Sequence, residues 1–261
     1  MFELQKNSIQ SVAHLLSSIK CDVVYAYSIL ENRQQGRIFV DDLSSPHSAI
    51  FWHYCGISFV SGVSDNGDFN HELYKLLCGK YEENQRVFVL FVNDADWNGT
   101  VVRLLDGNSD VKTLERLRFS FNQKSYNDRE FAIPEGYFLK ETDKIIFENL
   151  EGGIIPSYSW HSSEAFLSRG KGYCLVNGKN IACNAFSSSI GNGVLDIGIE
   201  TNVNYRLKGL AAPTASAMVQ YCLNNGYVPN WGCNASNIGS SRIAKSLGFE
   251  IADSHPMYIK A

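Results

Sequence analysis

A chain of 261 residues can hold one large or two ordinary domains, and its 44% hydrophobic and 19% charged residues suit a sizeable core. The net charge of −4, with no basic stripe, argues against a nucleic-acid partner, and no apolar run approaches the roughly 20 residues that cross a bilayer, which argues against a membrane one. Seven cysteines without a C-x-x-C pair read as reduced core thiols, and six histidines show no metal-ligand spacing, so neither a disulfide framework nor a metal is expected.

The N-terminus lacks the basic-then-apolar order of a secretory signal, so a cytoplasmic location is expected. In the first half, residues 21–30 and 37–40 read as a hairpin around the polar turn 32–36, and residues 48–60 supply further strand. A helix over 69–78, a strand over 87–92, a helix near 100–105 and a strand near 117–121 follow. The aromatic run Phe51-Trp52-His53-Tyr54 reads as core, with lining an acceptor cleft as its alternative. The polar stretch 123–129 opens the best linker, placing domains at 1–122 and 137–261 with a linker at 123–136.

In the second half, a short strand at 137–140 precedes a helix over 143–150, with Thr142 as the expected N-cap and Glu151-Gly152-Gly153 as its stop. After a loop around Pro156 and Trp160, Ser162 or Ser163 caps a helix that closes at Gly170. Asn177-Gly178 is the strongest hairpin signal in the chain. Residues 194–200 alternate apolar Leu195, Ile197 and Ile199 with Asp196, Gly198 and Glu200, as a strand with one buried face should. Ala211, Ala215, Met218 and Cys222 then fall on one helical face, Pro213 sits within the first turn, and Asn225-Gly226 supplies the stop. A strand over 227–233, a loop at 234–237 and a helix over 240–247 stopped by Gly248 complete the series.

Between the alternating strand and the long helix stands Arg206-x-x-Gly209-x-Ala211. First-turn N–H groups of a helix have no internal partner and sit at the positive end of its dipole, so a loop that lets an anion approach them binds it. Gly209 permits that approach, and Arg206 and Lys208 add charge at the same mouth. By contrast the first-half loop 61–69 has no such motif and carries Asp65 and Asp68, so it should repel a pyrophosphate.

Arg206-x-x-Gly209-x-Ala211, followed by Asn237-x-x-Ser240-x-x-x-Ala244-x-x-Leu247-Gly248-Phe249, resembles the acetyl-CoA motif and closing helix of the GNAT superfamily of N-acetyltransferases. Ile199-Glu200-Thr201, Gly209-Leu210-Ala211 and Leu247-Gly248-Phe249 further resemble a bacterial GNAT acetyltransferase subfamily. The resemblance covers the chain from about Tyr137 onward and implies an α/β (α+β) GNAT acyl-CoA N-acyltransferase fold, a mixed central sheet flanked by helices. The first half repeats part of that element order without its chemistry, which makes the expected arrangement tandem.

On that resemblance, backbone amides of Leu207, Lys208, Gly209, Leu210 and Ala211 with the Arg206 side chain would hold the pyrophosphate of acetyl-CoA. Thr201, Asn202 and Val203 would pair with its pantetheine arm, and Asn237 and Ser240 would complete the cofactor site. Glu200, with Asp196 as the alternative, is the expected base, and Trp231 is the aromatic expected nearest cofactor or acceptor. Many relatives place a tyrosine acid where this chain has Ala244; Tyr258, His255 and Cys233 are the substitutes in sequence reach. The expected activity is acetyl transfer from acetyl-CoA to a primary amine of a small molecule or peptide. The alternative is an acyl-CoA-binding sensor or scaffold without turnover. Whether the halves pack within one chain or across a homodimer is left open by the sequence.

Overall fold

The structure is a computed structural model that describes residues 1–16, 23–79, 88–92, 94–127 and 129–260. Its chain forms two compact units: residues 1–117 with the chain's end from residue 254, and residues 118–253.

In the first unit, β1 (Phe2–Glu3), a 3-10 stretch (Lys6–Leu16) and α1 (Val24–Leu30) lead into β2 (Gly36–Val40), β3 (Ser48–His53) and β4 (Ile57–Gly62). Then come α2 (Gly67–Cys78), β5 (Val89–Phe91), α3 (Ala95–Leu104) and β6 (Val111–Phe121), whose last residues enter the second unit. Strands β1 to β4 pair antiparallel in sequence order, β5 joins β4 in parallel, and α2 makes the crossover between them. Phe69, Leu73 and Leu77 of α2 are the i, i+4, i+8 face that packs with Trp52, Phe88, Leu90, Trp97 and Val101. Each such side chain, fully buried, contributes about 1.5–3 kcal/mol.

The second unit contains α4 (Gln123–Asn127), β7 (Phe138–Glu141), α5 (Lys144–Asn149), α6 (Pro156–Ser159) and α7 (Ser163–Arg169). These are followed by β8 (Gly172–Asn177), β9 (Asn180–Gly191), β10 (Val194–Thr201), α8 (Ala211–Asn224), β11 (Val228–Asn234), α9 (Ile238–Ser246) and β12 (Phe249–Lys260). Its sheet runs β11-β10-β9-β8-β7, antiparallel except for the parallel β10–β11 pair that α8 connects. One face carries α8, whose Ala215, Met218, Val219 and Cys222 are buried. The opposite face carries α6, with its C-cap Trp160, Phe147 of α5 and Phe166 of α7 packed on Phe186 of β9. Trp160 donates its indole N–H to the Ser187 carbonyl at 2.7 Å and is core. Phe51, Trp52 and His53 are likewise buried in β3.

Four local readings change. The strand expected over 21–30 is helix α1 from Val24 onward, Cys21 and Asp22 lying outside the described residues. All its residues but Tyr27 are buried, and a short run apolar on every side carries no period that separates strand from helix. The N-cap of α5 is Asp143, which accepts the Ile146 N–H at 2.7 Å; Thr142 instead turns into the core beside Cys174. The loop around Pro156 contains helix α6 with Pro156 in its first turn, where a missing N–H costs nothing. Finally, the expected linker 123–136 contains α4, whose buried Tyr126 contacts the Ser216 hydroxyl of α8 at 2.7 Å and stacks on Phe131. Arg129 donates to the last carbonyls of α9, Lys245 and Ser246, and Asp128 lies outside the described residues. That segment is part of the second unit, while the chain's end from residue 254 joins the first, with Met257 to Ile259 pairing on β5.

Candidate active site

The parallel pair β10–β11 is short. Its register runs Val194↔Val228, Leu195↔Pro229 and Asp196↔Asn230, and among the described residues no pairing continues beyond it. Both strands go on, β10 to Thr201 and β11 to Asn234, so their C-terminal halves form an open fork with unpaired backbone edges. Asp196 stands at its apex, buried and accepting the Asn230 side-chain N–H at 2.7 Å. That bond makes Asp196 a clasp across the pair, and its 4% exposure sets it deeper than the half-buried Glu200.

Beyond Thr201 the chain makes a 3-10 turn over Val203–Tyr205, capped by the Asn202 side chain on the Asn204 N–H at 3.0 Å. The Asn202 N–H goes to the Ala182 carbonyl of β9. Asn202 and Val203 therefore do not extend the open edge of the fork, which consists of residues 197–201.

Residues 206–209 are exposed, and the loop is anchored by Leu210, buried with Leu175, Ala182 and Cys183. Leu207 has φ +62° and Gly209 +72°, the left-handed region that glycine tolerates and leucine enters at a cost of about 1–2 kcal/mol. A Cβ at Gly209 would meet no heavy atom within 4 Å, so open space lies against that backbone. The loop delivers the chain to α8, whose N-cap Leu210 offers no side-chain acceptor and whose first turn holds no carboxylate. Unsatisfied N–H groups at the positive end of a three-to-four-turn helix, with open space before them, fit a diphosphate. Arg206 stands beside them, its Nε 3.4 Å from the Thr201 carbonyl, and the Lys208 ammonium lies 5.1 Å from the centre of the Tyr205 ring.

Glu200 projects to the opposite face. Its Oε2 accepts the Ile154 N–H at 2.5 Å, and the carboxylate lies so close to Gly152, φ +142°, that a Cβ there would fall 2.5 Å from the same oxygen. Gly152, after α5, thus clears a seat for Glu200. A cleft of about 510 Å3 opens at this seat, lined by Glu200, Asn184, Glu151, Asn202, Asn204 and Tyr205 among others. Asn184 faces Glu200 directly across the β9–β10 pair.

Other expected residues have structural duties. The Asn237 side chain caps α9 by accepting the Ser240 N–H at 3.0 Å, and the Ser240 hydroxyl accepts the Trp231 indole N–H at 3.0 Å. Trp231 itself is buried against Phe249. Ala244 and Cys233 are core, and Tyr258 and His255 belong to the first unit, where the Tyr258 hydroxyl donates to Asn98 at 2.6 Å. Burial pushes the Cys174 thiol up to about 11 and Cys222 to about 12, and raises Cys183 as well. These are neutral core thiols, not nucleophiles. No group of three metal-ligating side chains occurs among the described residues, and no helix there is long and apolar enough to cross a membrane.

Sequence reasoning missed Asn184 and the Gly152–Ile154 seat. An amide in the otherwise apolar run Ile181-Ala182-Cys183-Asn184-Ala185-Phe186 was the available signal, since a buried polar residue in a strand needs a reason.

The sequence model of the GNAT acetyltransferase family matches residues 13–258. The chain is 28% identical over 261 residues to YdfB, an uncharacterized N-acetyltransferase of Bacillus subtilis (strain 168), covering 98% of this chain and 97% of that one. Its fold is similar to a GCN5-related N-acetyltransferase-like protein from Streptococcus suis 89/1591, with TM-score 0.75 and 23% identity over 98% and 99% of the two chains. It is also similar to a tandem GNAT protein from the clavulanic acid biosynthesis pathway, with TM-score 0.62 and 14% identity over 98% and 96%. Open fork, uncapped helix and a match over nearly the whole length agree: the chain belongs to the GNAT acetyltransferase family, and so to the acyltransferases that work on nitrogen.

Proposed function

We propose that the protein transfers the acetyl group of acetyl-CoA to a primary amine of a small molecule or peptide, with the chemistry confined to the second unit. The observation that carries this reading is the uncapped N-terminus of α8, reached through a loop held left-handed at Leu207 and Gly209 and set beside the open β10–β11 fork. When bound, acetyl-CoA supplies an activated acyl carbon as a thioester. The backbone of residues 207–211 and Arg206 hold the diphosphate, and the free edge of residues 197–201 offers N–H and C=O groups to the amides of the pantetheine arm.

Glu200 takes the proton that the attacking amine must lose. Its seat on the Ile154 N–H fixes the carboxylate at the floor of the cleft on the face opposite α8. Asp196 holds the fork's apex and has no acid–base role. Asn237 and Ser240 keep α9 and Trp231 in place and act on the cofactor only through that packing. Ala244 leaves no hydroxyl at that point of α9, and the thiolate, a stable leaving group, departs without a dedicated acid.

The domains in this reading are the two compact units, and Asp68 in the first turn of α2 supports a first unit that does not bind the cofactor. Calorimetry with coenzyme A and release of free thiol from acetyl-CoA over an amine panel test the proposal together. Binding with turnover is expected. Binding without turnover would favour the sensor reading, for which the absent hydroxyl at Ala244 speaks, and no binding would remove both.

A further inference from the structure

The cleft beside Glu200 contains one polar atom with no partner. The Asn184 side chain is 4% exposed and belongs to the cleft lining; its Nδ2 donates to the Glu200 carbonyl at 3.4 Å, while its buried Oδ1 has no hydrogen-bond partner. Turning the amide over would set oxygen against the carbonyl oxygen, so the orientation is fixed by its neighbour. A buried acceptor left unmade costs about 1–3 kcal/mol, a cost that a donor brought by a ligand removes.

Resting on the reading above, we propose that Asn184 Oδ1 binds the acceptor amine through one N–H, and that the cleft selects compact polar amines without an acidic group. An arriving ammonium has three N–H hydrogens. One proton is lost to solvent to free the lone pair, the nitrogen forms its bond to the thioester carbon as the C–S bond breaks, and a second proton passes to the Glu200 carboxylate. The thiolate takes a proton as it leaves, and the product amide keeps the third hydrogen. An acceptor oxygen beside the base suits that retained N–H, because the bond to Asn184 need not break during transfer. The selectivity follows from charge: among the described residues Glu151 and Glu200 line the cleft against one cation, Lys179, and Asn149, Asn180, Asn202 and Asn204 add amide groups. A carboxylate or phosphate on the substrate would meet net like charge there.

The test uses the full chain with three matched pairs: cadaverine against lysine, tyramine against tyrosine, and glucosamine against glucosamine 6-phosphate. The acid-free member of each productive pair should show kcat/KM about tenfold higher or more. In Asn184→Leu, which leaves no room for water, KM for the amine should rise about tenfold and its calorimetric affinity in the presence of coenzyme A should fall equally. Asn184→Ala admits a bridging water and should show a smaller rise. Coenzyme A affinity should be unchanged in both, which also reports that they fold. Normal coenzyme A binding with unchanged amine KM in both variants overturns the inference, as does preference for the acidic partners or no turnover of any member. Loss of coenzyme A binding by the wild-type protein would instead overturn the cofactor reading on which it rests.

Discussion

The two crossovers, β4–α2–β5 in the first unit and β10–α8–β11 in the second, have the same topology and opposite electrostatics. Each links a parallel pair through a helix packed on its own sheet. Helix α2 begins with Asn66, whose side chain accepts the Phe69 N–H at 3.1 Å, and carries Asp68 in its first turn. Its positive end is therefore occupied from within the chain. Helix α8 begins with no cap and no carboxylate, after a loop strained at Leu207 and opened at Gly209. Strain and a missing cap at one of two equivalent places are what the proposed cofactor site would cost the fold. The same contrast holds on the strand before each crossover. His53 of β3 is sealed in the first unit's core, whereas Asn184 of β9 lines an open cleft.

The largest effect should come from Glu200→Gln. The amide can still accept the Ile154 N–H but cannot take a proton, so kcat should drop about 100-fold or more while coenzyme A affinity stays constant. Turnover unchanged across neutral pH would take Glu200 out of the mechanism. Gly209→Asp gives the second crossover the kind of charge that the first has at Asp68. Calorimetry should show coenzyme A binding weakened about 100-fold, from left-handed strain of roughly 1–2 kcal/mol plus like-charge repulsion. Because nothing crowds the position, the ligand-free protein should lose only the strain on unfolding.

The sealed side of the comparison predicts a pH dependence. Burial lowers His53 from 6.5 to about 3, and its Nδ1 accepts the Cys55 N–H at 3.1 Å, so it is neutral in the native state. Its folded pKa lies below the unfolded one, so the unfolded chain takes the proton first. Stability is full above about pH 6.5 and falls toward pH 3 by up to about 1.4 kcal/mol per pH unit. Urea unfolding at pH 7, 6 and 5 should show this slope in the wild type and a shallower one in His53→Gln; equal slopes would assign it to other groups. The smallest effect is Asn66→Ala, which uncaps α2 and should cost about 1 kcal/mol. It should confer no coenzyme A binding on the first unit, since Asp68 remains; appearance of a second site would break the comparison.

Much of the second unit was legible because local signals there are strong. Asn177-Gly178 set the β8–β9 hairpin, with Asn177 paired to Asn180, and Ser162 and Gly170 bound α7. The alternation of residues 194–200 separated Ile199, packed with Leu210, from Glu200 on the other face, but the expected single buried face is corrected: Asp196 and Gly198 are buried too, because helices cover that side as well. The first unit was harder. Helix α1 is apolar on nearly every side, so its period is hidden. In the second unit the Asp143 cap was masked by an equally good capper, Thr142, one residue earlier. Trp231, Asn237 and Ser240 show the limit at the site itself. Residue type made them candidates for ligand contact, and a hydrogen-bond set closed within α9 and β11 gave each another partner.

The sequence by itself determined the family, the loop from Arg206 to Ala211 that leads into α8 and the carboxylate at Glu200, because these depend on residues close together in the chain and on which turn conformations they tolerate. Tertiary structure alone decided that Asp196 is a clasp, that Gly152 makes room for Glu200, and that Asn184 presents an unmatched oxygen to the cleft. Those facts depend on which strands stop pairing and which distant backbone meets a side chain. Hydrogen-bond partners across 34 or 46 residues leave no local pattern from which they could be read.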